Sequence, residues 1–131
     1  MICIGDNPEN IDCEFYPIWN EPIVETKEGM PNCYRRLKLF SEWAKQFGDV
    51  VISIDLDCVI FQDITPLFTL EDDFRITKGR SALYNGSLWM LRTGTRKQVW
   101  EQFHPYHSPM LARNTRHPST RRRYFGSDQA W

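Results

Sequence analysis

The chain holds no apolar run near the roughly 20 residues that a membrane-spanning helix requires, so no transmembrane segment is expected. Its N-terminus has no basic stretch followed by an apolar core, so no secretory leader is visible and a cytoplasmic location is expected. Charge of neither sign dominates: 16 Lys and Arg against 17 Asp and Glu leave a formal net charge of -1, which argues against nucleic acid as a partner. The four cysteines, Cys3, Cys13, Cys33 and Cys58, form no C-x-x-C pair and fit no zinc spacing. They are read as reduced thiols, with Cys58 a small core residue in an apolar strand. What is present is core material. Hydrophobic residues make up 41% of the 131, which is enough for one packed domain over 1–131 and excludes a disordered chain.

Met1–Ile4 reads as a short strand that ends at the turn signal Gly5-Asp6-Asn7-Pro8. Cys13–Trp19 reads as a second strand, and the segment from Val24 to Pro31 as a loop. Asn32 is placed to cap a helix in which Tyr34, Leu37, Phe40, Trp43, Ala44 and Phe47 recur at three- and four-residue steps, ended by Gly48. Val50-Val51-Ile52-Ser53-Ile54 is almost wholly apolar and β-branched, the pattern of a strand buried on both faces of a parallel sheet. Phe74–Thr77 is read as a further strand, Ser81–Arg92 as extended pieces bent at Asn85-Gly86, and Thr95–Phe103 as a helix with Val99, Trp100 and Phe103 inward. From Gln102 to Ser127 there is no acidic residue, and three prolines interrupt the segment. A basic loop is therefore expected over about 104–125. Gly126–Trp131 has the look of a capped helix start. Strand and helix alternation around a buried central strand implies an α/β fold.

The strongest chemical signal lies where the apolar strand runs into Asp55-Leu56-Asp57. Bare carboxylates are costly in a low-dielectric setting unless paired, hydrated or metal-bound. On extended backbone, residues two apart face the same side. Two such carboxylates at the carboxyl end of a central strand could hold one hard divalent cation, Mg²⁺ or Mn²⁺, that neutralises a diphosphate leaving group. The bland alternative is a strand end with two solvated aspartates.

Val51–Ile60 followed by Asp63-Ile64-Thr65-Pro66-Leu67-Phe68 resembles the D-x-D block of GT-A-fold glycosyltransferases, most nearly the family 8-like group. Three other stretches resemble that family in the expected order. They are Tyr34-Arg35-Arg36-Leu37-Lys38-Leu39-Phe40, then Tyr84-Asn85-Gly86-Ser87-Leu88-Trp89-Met90-Leu91, and Gly126-Ser127-Asp128-Gln129-Ala130-Trp131. The resemblance implies a GT-A-type nucleotide-sugar-binding sandwich with a mostly parallel central sheet. The implied activity is transfer of a hexose from a nucleoside diphosphate sugar, a UDP-sugar favoured, to a hydroxyl acceptor. It further implies Asp55 and Asp57 as metal ligands, with Asp55 also near the donor. Arg35 and Lys38 would face the diphosphate, Asn85 and Gly86 the sugar, and Asp128 and Gln129 the catalytic end of the donor. The family's opening nucleotide-binding strand and its downstream metal-ligating histidine have no counterpart in this sequence, so a fragment incomplete at both ends is expected.

Each assignment has a competing account. Arg35 and Lys38 also fit a solvated helix edge, Asn85-Gly86 a plain turn, and Asp128 an early helical carboxylate favoured by the macrodipole. Two other functions fit the D-x-D. In a haloacid dehalogenase-like phosphatase Asp55 would be the nucleophile and Asp57 the general acid, although Cys58-Val59-Ile60-Phe61 departs from the residue types usual after the motif in such enzymes. The third is a truncated nucleotide-sugar-binding module without catalysis.

Overall fold

The computed structural model describes residues 1–5, 7–19, 33–68, 71–79 and 84–114. Strands β1 (Ile2–Gly5) and β2 (Glu14–Pro17) pair in parallel. Between them Asn7 accepts from the Glu9 backbone N–H through Oδ1, closing the expected turn. Strands β3 (Val50–Ile54), β4 (Phe74–Lys78) and β5 (Tyr84–Arg92) form a second sheet in the order β3-β5-β4.

Both pairings in this second sheet are antiparallel. The chain is therefore α/β in content, but the D-x-D strand does not sit in the middle of a mostly parallel sheet. Among the described residues β3 is an edge strand and β5 takes the centre. The expectation failed because an apolar run reports burial potential and not pairing direction. Val51 and Ser53 oppose Leu91 and Trp89 on the core side, while Ile52 and Ile54 remain 43% and 37% exposed on the other. On that outer face Met90 of β5 is fully buried.

The core side of the sheet is covered by two consecutive 3₁₀ helices, Cys33–Phe40 and Glu42–Phe47, where one α-helix was expected. Residues three apart eclipse one another in a 3₁₀ helix. That spacing stacks Tyr34, Leu37 and Phe40 in one buried column. Ser41 breaks the run: its N–H and hydroxyl both donate to the Lys38 carbonyl, and its Oγ accepts from the Trp43 N–H to cap the second helix. Gly48 ends that helix at φ 115°, a conformation open to glycine because it has no Cβ.

Phe40 stacks on Trp89 at 5.6 Å between centroids and meets Phe74 at the same distance. Trp19 and Tyr16, from the β1-β2 end, close on Trp43 and Phe47. Helix α1 (Gln98–Glu101) brings Val99 and Trp100, with Phe103 beyond it, onto the same core, and Phe103 packs on Tyr34. Within the expected basic loop lies a helix instead, α2 (His107–Asn114). Pro109 does not forbid it, because the first turn of a helix leaves its N–H groups without intrahelical acceptors. The Ser108 hydroxyl, on a residue 1% exposed, accepts from the His104 N–H.

Candidate functional site

The site is built where β3 stops. Alternation ends at Ile54, and the chain turns at once as the Cys58 N–H donates to the Asp55 carbonyl at 3.0 Å. Asp55 and Asp57 therefore do not share one face of a strand. Asp55 is half-buried against the molecule, and Asp57 lies exposed in the turn. The expectation of a same-side pair assumed extended backbone that the structure replaces with a turn. The segment after the turn is capped locally. Asp63 accepts from the Thr65 N–H at 2.9 Å, and the Thr65 hydroxyl together with that N–H holds the Asp63 carboxyl below its ordinary value.

Asp55 is held by a residue outside the expected set. Arg36 Nη1 donates to Asp55 Oδ1 at 2.8 Å and to the Gly86 carbonyl at 2.9 Å. One guanidinium thus ties the helix segment, the D-x-D turn and the Asn85-Gly86 segment of β5 to a single point. The backbone reinforces the join, since the Asp55 N–H donates to the Ser87 carbonyl at 2.9 Å. Sequence reasoning misses Arg36 because Arg35 and Lys38 are the basic pair that shares an α-helical face. In the three-residue phase of the 3₁₀ helix, Arg36 falls on a separate column with Cys33 and Leu39.

The Arg35 carbonyl accepts from the Trp19 indole N–H at 2.7 Å, and the Arg35 Nε is buried without a hydrogen-bond partner. Lys38 Nζ lies 5.1 Å from the Trp43 ring centroid, a cation–π distance. Asn85 spends its Oδ1 on the Ser87 N–H at 2.9 Å, a local turn bond. Asp128 and Gln129 lie outside the described residues.

Among the described residues no group of three His, Cys, Asp or Glu side chains could enclose a metal. The two carboxylates fit a more open mode, in which a hard cation takes one or two carboxylates and completes its shell with water and phosphate oxygens. Beside the turn, Ile54, Val59, Ile60, Phe61 and Leu88 line an open apolar hollow of about 190 Å³. No described helix is long and apolar enough to cross a membrane. Comparison with known proteins gives no assignment: no family model, no curated protein and no solved structure matches the chain.

Proposed function

We propose that this chain carries the donor site of a metal-dependent glycosyltransferase that moves a hexose from a nucleoside diphosphate sugar to a hydroxyl. The observation that carries the reading is the convergence on Arg36. Three of the four sequence stretches that resemble the family, separate along the chain, meet through its hydrogen bonds to Asp55 and Gly86.

In this reading Asp57, exposed at the tip of the turn, is the principal ligand for Mn²⁺ or Mg²⁺. Asp55 offers Oδ2, its Oδ1 being committed to Arg36. The cation supplies charge neutralisation to the departing diphosphate. Arg36 fixes the Asp55 carboxylate so that its orientation does not have to be found when donor binds. Arg35 and Lys38 lie one column round the same helix and add positive potential for a diphosphate. Asn85 and Gly86 shape the wall facing the sugar. Asp128 and Gln129 keep the roles the resemblance implies, close to the transferred sugar.

The test is calorimetric titration of UDP into the chain, with Mn²⁺ and with the metal chelated, beside Asp57→Ala. Binding that requires both manganese and Asp57 supports the proposal. UDP binding indifferent to chelation and to Asp57→Ala, or no binding by the folded chain, removes it.

A further inference from the structure

His104 links α1 to α2 through a closed set of hydrogen bonds. Its carbonyl accepts from the Ser108 N–H at 3.0 Å, and its own N–H donates to the Ser108 hydroxyl oxygen at 2.9 Å. The backbone is thereby folded into a turn that feeds directly into α2. The imidazole completes that turn. Its Nδ1 accepts from the Tyr106 N–H at 3.2 Å and from the His107 N–H at 3.3 Å. N–H groups at the opening of a helix have no acceptor inside it. His104 thus fills the role that the side-chain oxygens of Ser, Thr, Asp or Asn fill at most helix starts.

A histidine differs from those residues in one respect. An imidazole nitrogen accepts a hydrogen bond only while it carries no proton, and the charged ring has donors on both nitrogens. The two contacts therefore fix neutral His104 as the tautomer with its proton on Nε2. A proton added at Nδ1 would point at two N–H groups, and the positive ring would stand at the positive end of the helix dipole. The titratable groups around the ring are its close neighbours in the chain. The His107 ring lies 4.5 Å away between centroids, and the Tyr106 phenol ring meets His107 edge-on at 5.3 Å. The nearest acid along the chain, Glu101 of α1, bears on Lys97. Among the described residues neither imidazole forms an ion pair with a carboxylate that would hold a charged ring in place.

We propose that His104 is a pH-sensitive latch on α2: the neutral imidazole closes the turn that starts the helix, and protonation opens it. The direction follows from the bonds. The acceptor exists while Nδ1 is unprotonated, so the closed turn is favoured at high pH and is lost as pH falls through the range in which imidazoles charge, about pH 8 to 5. What the latch holds is a docked element. Ser108 and Ala112, each 1% exposed, lie four residues apart on one buried face of α2. Ser108 is tied to His104 through both its hydroxyl and its N–H, so the same turn seats that face. Loss of a helix cap shifts the balance between closed and open turn about fivefold.

The test is an NMR titration of the chain from about pH 8 to about pH 5. At high pH the ring nitrogen shifts of His104 should report Nδ1 unprotonated and Nε2 protonated. As the ring charges, the Tyr106 and His107 amide protons should lose the downfield shift of a hydrogen-bonded group, with the same midpoint as the His104 ring. The ratio of closed to open turn, read from the Cα shifts of residues 105–108, should fall about fivefold. His104→Asn supplies an oxygen acceptor that does not titrate, and should keep the turn closed across the range. His107→Gln should keep the wild-type response. The opposite tautomer at high pH, amides that do not follow the His104 ring, or a response that persists in His104→Asn or vanishes in His107→Gln overturns the proposal. So does a response shared by the amide of Leu91, buried at the centre of the sheet, which would report unfolding of the whole chain.

Discussion

Breaking the Arg36–Asp55 pair tests whether the site is held together as its geometry implies. The pair is partly exposed, 20% for the arginine side chain and 36% for the aspartate, and joined at 2.8 Å. A hydrogen bond between charged groups contributes about 1.5–3 kcal/mol when well shielded. Solvent screening at this exposure lowers the expectation to about 0.5–1.5 kcal/mol. Arg36→Met also removes the donor to the Gly86 carbonyl and a further contact of the arginine, so the single variant loses more, about 1–2.5 kcal/mol. For a chain of this size that is a fall in Tm of roughly 3–10 °C. The clean quantity is the coupling energy from a double-mutant cycle of Arg36→Met and Asp55→Asn, measured by urea unfolding. A coupling below about 0.3 kcal/mol, the range in which independent sites add, refutes the claim that the pair holds the D-x-D turn.

Two further outcomes are set by the packing and the charges. Leu91→Ala, at a fully buried position opposite Val51 and Phe74, should cost about 2–5 kcal/mol in urea unfolding; a loss under about 1 kcal/mol would contradict the placement of β5 at the centre of the core. Glu42 is held below its ordinary value by its hydrogen bonds to Lys45 and Lys97. A depressed folded pKa gives stability that is present above the unfolded value and lost as pH falls through the folded one. Wild-type Tm should thus decline through the acid range below the ordinary glutamate value of 4.5, and Glu42→Gln should flatten part of that decline; an identical pH profile for the two proteins would exclude the contribution.

How much the sequence discloses depends on what kind of physics each feature obeys. The strand positions were legible because alternation and β-branching are local: Ile2, Phe15, Val51 and Ile76 all fall in strands near the expected bounds. Pairing direction is not local, and nothing in Val50–Ile54 states that β5 will approach antiparallel. The Tyr34, Leu37, Phe40 spacing of three fits both helix types along a short run, so the 3₁₀ form and the new azimuth of Arg36 were not legible. Helix α2 was hidden by Pro109, which looks like a breaker unless its place in the first turn is known. At the site, the turn closed by the Asp55 carbonyl and the Cys58 N–H defeated the same-face argument for Asp55 and Asp57, because a two-residue spacing carries meaning only while the backbone stays extended.

The arrangement around Arg36 depends on a departure from regularity in β5. Towards β3 its register runs unbroken from Arg92 to Leu88 and continues into the Asp55–Ser87 bond. Towards β4 it jumps: Ile76 pairs with Trp89, but the next residue, Thr77, pairs with Asn85. Residues 86–88 therefore leave the β4 ladder, and the Thr77 hydroxyl bridges the gap by donating to the Leu88 carbonyl. Within the excursion Asn85 Oδ1 accepts from the Ser87 N–H, and the Gly86 carbonyl turns to Arg36. The asparagine thus acts on the site through backbone shape, whatever its amide later meets. Asn85→Ala should cost about 0.5–1.5 kcal/mol by thermal unfolding, the usual net worth of one such bond. More tellingly, the Arg36–Asp55 coupling should fall when the cycle is repeated in the Asn85→Ala background, because the second acceptor that orients the guanidinium is no longer held in place. An undiminished coupling would mean that the turn at Gly86 merely accompanies the ion pair and does not set it.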